Sequence, residues 1–318
     1  MKHNTDKKKL LFLSIATIIC IGLFLLEGLN AKNFDYNLSR RIPKLIAICL
    51  TGTSVAVSSM LFQTVTNNRI LTPSILGLDS LYNFGQTLCI FAFGVNSMMM
   101  TDKKINFFAS VFIMLVGTII LYKLVFKRGN NIFTLLLVGT VVGTLFRSMS
   151  SFMSVLIDPN DFIVLQSKMF ASFNNVNTDI LLIVIIILIG IGYFIYKDIN
   201  KLDVMLLGRE MSINLGIDHD RLSKKILLIV ALLVSISTAL VGPITFLGLL
   251  VVNLSYHLFK TYKHSYLIAG ASLISMIALV GGQFIVERIL NFSSTISIII
   301  NFIGGIYFIY ILIKQAKN

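Results

Sequence analysis

The chain has 318 residues, 56% of them hydrophobic and 13% charged, and carries a net charge of +13. A soluble domain uses about 25% charged residues to cover its surface, so this composition excludes a water-facing globule. The apolar residues arrive in blocks of about 17 to 25, the length that crosses roughly 30 Å of hydrocarbon, and the positive excess is that of loops at an anionic inner leaflet, with no nucleic acid implied.

Ten spans follow in chain order, at about 10–29, 43–64, 77–97, 105–126, 132–156, 179–196, 226–242, 244–259, 265–286 and 295–313. Lys7, Lys8 and Lys9 precede the first, which is too long for the apolar run of a signal peptide and lacks a small-residue cleavage site, so it reads as a retained helix. Asp79, Asn83 and Gln86 interrupt the third, and the stretch before it, 64–76, is a candidate to re-enter the membrane. The fifth carries Arg147 in mid-span. The segment 197–225 has room for one or two short helices. Only Gly242-Pro243 divides the seventh span from the eighth, which predicts a tight hairpin or a kinked turn. Backbone in hydrocarbon must satisfy its own hydrogen bonds, so the spans are helices, and the alternating segments of a barrel are missing. The expected fold is all-α, one transmembrane domain over 1–318.

With the N-terminus inside, Lys and Arg concentrate on the inner side, in 1–9, 123–128 and 197–225 above all, which places both termini in the cytoplasm. Lys32, Arg40, Arg41 and Lys44 form an outer cluster that runs against this bias, and a partner surface of opposite sign is a reason for it.

The sequence lacks several kinds of chemistry. It contains no GxxxxGK[ST] phosphate loop, so the chain is not expected to bind and split ATP by that mechanism. His3, His219, His257 and His264 fall at cytoplasmic edges, apart from carboxylates within spans, and Glu27 and Glu287 sit near span ends. Cys20, Cys49 and Cys89 lie inside spans as small buried hydrophobes, and Met98–Met100 have no partner ligand nearby. No catalytic, cofactor or metal site is expected. A stand-alone secondary carrier would need a coupling carboxylate in its core, and an intramembrane enzyme a nucleophile with its base.

Four stretches carry a signal: Arg41-Ile-Pro-Lys44 running on to Gln63; Asn67-Asn-Arg-Ile-Leu-Thr-Pro-Ser-Ile-Leu-Gly77; Leu207-Gly-Arg-Glu-Met-Ser-Ile-Asn-Leu-Gly216; and Val241-Gly-Pro-Ile-Thr-Phe-Leu-Gly-Leu249. In order and spacing they resemble the signature segments of the iron-siderophore and cobalamin permease family of type II ABC importers, from residue 40 to the C-terminus. The chain departs from that pattern at Asn68-Arg-Ile-Leu71, where the family has N-P-L-A, and at Val251-Val-Asn253, where it has V-P-H. The Thr66–Pro73 stretch with Asp79-Ser-Leu-Tyr82 resembles a subgroup linked to catecholate siderophores.

The resemblance implies a multi-pass protein of the bacterial plasma membrane. It would pair with a second permease, a homodimer partner or a related chain, above a cytoplasmic ATPase dimer and below an extracytoplasmic substrate-binding lipoprotein. Arg41, Lys44 and Arg288 would dock the binding protein, although Glu287 stands beside Arg288. Leu207, Gly208, Arg209, Glu210, Leu215 and Gly216 would meet the ATPase. The cargo would be a ferric siderophore, with haem or cobalamin as alternatives within the family. Arg147 and Gln63 are candidates for the translocation path. Arg147 would either meet an anionic chelate there or bond helix carbonyls and its neighbours Ser148, Ser150 and Ser151. Gly139, Gly143, Gly281, Gly282, Gly304 and Gly305 are expected to serve helix packing, and Asp158 and Asp161 to stop one helix and cap the next.

Overall fold

The computed structural model describes residues 2–27, 34–126, 132–174 and 176–316. Helices α1 (Lys2–Leu26) and α2 (Phe34–Thr66) come first. At 33 residues α2 reaches about 50 Å, well past a bilayer. It starts before the predicted second span, with Asp35 in its positive first turn and Pro43 inside the helix. Asn67, in the left-handed region at φ 48°, ends it.

A 3₁₀ turn (Pro73–Leu76) and Gly77 lead into α3 (Leu78–Phe93), α4 (Met98–Thr101), α5 (Lys103–Phe126) and α6 (Ile132–Leu156). The 3₁₀ turn packs on α6 at membrane depth, as expected of a re-entrant stretch. A Cβ on Gly77, whose φ is +77°, would lie 2.7 Å from the Cα of Gly143, and one on Gly139 would lie 2.9 Å from the Cα of Leu76. Backbone meets backbone here, and glycine alone permits it.

The chain continues through α7 (Pro159–Met169), α8 (Thr178–Met205), α9 (Arg209–Asn214), α10 (His219–Val241), α11 (Leu247–Leu258), α12 (His264–Arg288) and α13 (Ile296–Ala316). Asp158 caps α7 as expected, accepting from the Asn160 N–H at 2.9 Å. Among the described residues seven helices are long and apolar enough to cross a bilayer: α1, α2, α5, α6, α8, α10 and α12. With the shorter α3, α11 and α13 they account for all ten predicted spans. The end of the bundle that carries α9 is the inner end by the charge bias of the loops.

Helix α2 is the axis of the packing, in contact with α8, α10, α11 and α12. One apolar cluster joins its Leu61 and Phe62 to α3, α5, α6, α8 and α10, and another joins its Ala47, Ile48 and Met60 to α1, α11, α12 and α13. Apolar burial does not drive helices together in lipid, so close approach of small residues matters more. The run Thr51-Gly-Thr-Ser-Val-Ala-Val-Ser-Ser59 supplies it. A Cβ on Gly52 would come within 3.1 Å of Ser275 Oγ, and one on Gly248 would collide with Ser59. The hydroxyls cost little because they donate to their own helix, Ser54 to the Leu50 carbonyl and Thr53 to that of Cys49, each at 2.8 Å.

The Gly242-Pro243 break is a turn and not a hairpin. Helix α10 lies against α2 and α5, whereas α11 packs with α2, α12 and α13. Gly242, at φ +104°, takes the chain around this corner with its hydrogen face on the backbone of Ala171. A short polar break does not force two helices to stay adjacent when each finds a better partner.

Candidate functional site

At the outer end, the three cations singled out in the sequence make bonds within the chain. Arg41 donates to the carbonyls of Leu25 at 2.8 Å and Glu27 at 2.7 Å, and Arg288 donates to that of Glu27 at 2.9 Å. Two guanidinium groups thus cap the C-terminal carbonyls of α1, where a positive charge is favoured. Lys44 is paired with Glu287 at 2.6 Å, each side chain about 15% exposed (15% and 14%), and also donates to Asn174 Oδ1 at 3.0 Å. Gln283 completes the cluster, donating to the same Glu287 oxygen at 2.8 Å. Glu287 therefore neutralises Lys44 and leaves its neighbour Arg288 charged and exposed. Arg40, also exposed, stacks over Tyr36 at 4.8 Å.

In mid-membrane, α6 turns Leu135, Gly139, Gly143, Ser150 and Met153 inward and leaves Thr140, Thr144, Arg147, Ser148 and Ser151 exposed along its other side. The spacing of four, three or four, and three or four residues makes these one polar stripe. Thr140 and Thr144 donate to Leu137 and Thr140 carbonyls, at 2.8 and 2.9 Å, so their lone pairs face outward. Arg147 makes no hydrogen bond or ion pair among the described residues. The expected bonds to helix carbonyls or serines are not formed, and Ser150 donates instead to the Phe146 carbonyl. Gln63, the other path candidate, is 2% exposed, and neither of its amide atoms has a partner. It lies inside the chain, away from the α6 face.

Asp79, which interrupts the third span and belongs to the subgroup stretch, is a carboxylate on α3 within the bundle. It lines a cavity of about 20 Å³ with Thr51, Ser58, Ser74, Ser237 and Thr245, large enough for a water molecule. Thr245 Oγ1 donates to Asp79 Oδ2 at 3.4 Å, while the buried hydroxyl of Thr51 has no partner. Arg147 stands near enough to act on Asp79 through space.

At the inner end, α8 runs about two turns past the predicted sixth span. Buried Asp198 holds it to α10, receiving Lys201 at 2.7 Å and Lys225 at 2.5 Å. Gly208, at φ +92°, then starts α9, and Leu215 and Gly216 close it. The predicted coupling residues are thus gathered on one short helix and its two caps. Ser212 anchors that helix from below, fully buried and 2.7 Å from the Gly208 carbonyl. Leu207, Met211, Ile213 and Leu215 stand out from it at 60%, 59%, 47% and 62% exposure, a knob of apolar side chains beyond the lipid. Met211 and Ile213 were not singled out in the sequence, although their place between two glycines was the signal. Arg209 grips Asp220 with two bonds, at 3.2 and 3.0 Å, which holds its guanidinium above the ordinary pKa, and Glu210 is exposed beside it.

His264 departs from its predicted isolation. It stays at the inner edge but is fully buried, with Nδ1 2.7 Å from Asp203 Oδ1 and Nε2 2.8 Å from Thr64 Oγ1.

Known proteins share this architecture and sequence. The permease protein YclO of the petrobactin import system of Bacillus subtilis (strain 168) is 58% identical over 314 residues, covering 98% of this chain and 99% of that protein. FatC, a permease of the petrobactin import system of Bacillus anthracis, is 33% identical over 95% of this chain and 88% of its own. A metal-chelate type ABC transporter solved in an inward-facing conformation superposes with a TM-score of 0.85 at 20% identity, covering 97% of this chain and 99% of that one, which shows the fold. Residues 10–314 match the FecCD transport family, and the chain belongs to that family.

Proposed function

We propose that this chain is the membrane-spanning permease of an ABC importer that carries a ferric siderophore, petrobactin or a close catecholate relative, across the bacterial plasma membrane. The observation that carries the reading is the near full-length likeness to a petrobactin permease, at 58% identity. Petrobactin is itself a catecholate, in keeping with the subgroup that the Thr66–Tyr82 stretch resembles. The chain is a transport subunit without covalent chemistry of its own. ATP would be bound and split by a separate cytoplasmic ATPase dimer, and a substrate-binding lipoprotein would deliver the cargo at the outer mouth.

Two parts of the geometry support this division of labour. An exposed apolar knob flanked by charge, held by a buried serine and an ion pair, has the make-up of a protein contact, and α9 would seat it on the ATPase. The polar stripe of α6 is a poor surface for lipid, since a mid-span Arg costs about 2.5–3.5 kcal/mol there. Facing a second permease chain across a central path, Arg147 would instead meet the anionic chelate. Arg41, Lys44 and Arg288 would shape the outer rim on which the binding protein docks, with Arg288 and Arg40 supplying its exposed charge.

Uptake of radioactive iron, offered as a panel of chelates to cells with and without this gene and lacking other siderophore permeases, tests the proposal. Loss of catecholate uptake is expected, restored by the normal gene and not by Glu210→Lys. Unchanged uptake of every siderophore would overturn the reading and send the panel on to haem and cobalamin.

A further inference from the structure

The outer path and the inner knob lie on different elements, and a line of bonds, buried at His264 and Thr64 and part-buried elsewhere, runs between the elements that carry them. Ser212 on α9 shares its hydroxyl proton between the Gly208 carbonyl at 2.7 Å and the Val204 carbonyl at 3.1 Å, the latter in the last turn of α8. The next residue toward the membrane is Asp203. Its Oδ1 accepts both the backbone N–H of His264 and the ring Nδ1–H, each at 2.7 Å. A carboxylate only accepts, so Nδ1 carries the proton and the ring orientation is fixed. The far side of the ring, Nε2, meets Thr64 Oγ1 at 2.8 Å, in the last turn of α2. His264 is 0% and Thr64 1% exposed, whereas the Asp203 side chain keeps 20%.

The line continues beyond Thr64. The Gln63 carbonyl accepts from the Asn68 N–H at 3.1 Å, and the Asn68 side chain accepts from Ile70 N–H at 2.9 Å, so the chain leaves α2 in a fixed conformation. The Arg69 carbonyl accepts from Asn253 at 3.2 Å. Four residues on begins the 3₁₀ turn whose Gly77 rests on Gly143 of α6, the helix that carries Arg147.

We propose that Asp203, His264 and Thr64 are positioning residues that transmit movement of the α9 segment to α2 and, through the re-entrant turn, to the α6 face. The inference rests on the reading of α9 as the ATPase contact and of α6 as the path wall. Imidazole suits the task because it is rigid and bonds at both edges, so displacement of the α8 end displaces Thr64 rather than being absorbed by side-chain rotation.

The test uses the full complex, permease pair with ATPase and binding protein, in proteoliposomes, and reads cargo transported per ATP hydrolysed. Thr64→Val removes the hydroxyl and keeps the shape. It is expected to leave ATP hydrolysis near the normal rate and to lower cargo per ATP about tenfold, with Thr64→Ser restoring the ratio. His264→Asn keeps an amide donor for Asp203 but is too short to reach Thr64, and it should lower the ratio likewise if Thr64→Val disturbs assembly. An unchanged ratio in both variants, or transport and hydrolysis falling together in proportion to assembled complex, would overturn the proposal. Failure of the normal chain to bind the ATPase or to move any chelate is a different result, and it would sink the permease reading itself.

Discussion

Helices α2 and α6 both cross the membrane and both are rich in hydroxyls, yet 67% of the spanning window of α2 is buried within the chain against 22% of that of α6. On α2 the polar atoms lie between other helices of the same chain, and its outer cation, Lys44, has a carboxylate of its own. On α6 the small residues face inward and most of the polar ones outward, and its cation, Arg147, makes no hydrogen bond or ion pair among the described residues, while Asp79 acts on it through space. The difference teaches where this chain is complete. Around α2 the packing closes on itself. Along α6 a polar stripe runs beside the exposed Leu137, Val141, Leu145 and Phe152, so one part of its outer face suits lipid and the stripe around Arg147 does not.

The sharpest way to break the comparison is at a backbone-to-backbone contact between α6 and the turn that follows α2. Gly143→Leu would drive a side chain into the Gly77 backbone, 2.8 Å from where its Cβ would stand. Overpacking against backbone costs about 3 kcal/mol, so the variant is expected to yield little folded protein, measured by detergent-solubilised yield and thermal unfolding. Normal yield would show that the re-entrant turn moves freely on α6. Arg147→Leu should do the opposite. Folding and yield stay normal or improve, while chelate uptake falls about tenfold, the loss of one charge-assisted contact. Arg147→Lys keeps the charge and should retain most of the uptake. Loss of folding in Arg147→Leu would mean that the residue packs after all, and α6 would then be an ordinary core helix.

The inner faces and the spans themselves were readable because hydrocarbon imposes its length on the sequence, and all ten apolar blocks became helices. The ends of α2 and α8 were not readable, since polar turns beyond the lipid carry no such constraint. The short helix α9 was legible from two glycines eight residues apart, and the apolar exposure of its side chains followed only once the helix was placed. The pairs of Lys44 with Glu287 and of Asp203 with His264 join residues 243 and 61 positions apart. No local pattern announces them, because they are set by which helices meet. Asp79 was visible as a carboxylate within a span, but its hydroxyl-lined cavity draws on α2, the re-entrant turn and the far end of α10.

The smallest expected effect tests whether α2 truly closes on itself at its outer end. Lys44 and Glu287 are mostly shielded from water, with 15% and 14% of each side chain exposed, so their attraction is weakly screened. Gln283 donates to the same two oxygens as Lys44, Glu287 Oε1 at 2.8 Å and Asn174 Oδ1 at 3.2 Å, and can reorganise when one partner is lost. A double-mutant cycle of Lys44→Gln and Glu287→Gln, read as thermal stability of the solubilised chain, should therefore give a coupling of about 1 kcal/mol, less than an isolated buried pair would. If Lys44 serves the rim through this pair, the double variant recovers most of the stability lost by either single change. A coupling of zero, with docking of the binding protein weakened by Lys44→Gln alone, would instead return Lys44 to the role of a free docking charge. The outer end of α2 would then resemble α6 more than its own buried middle.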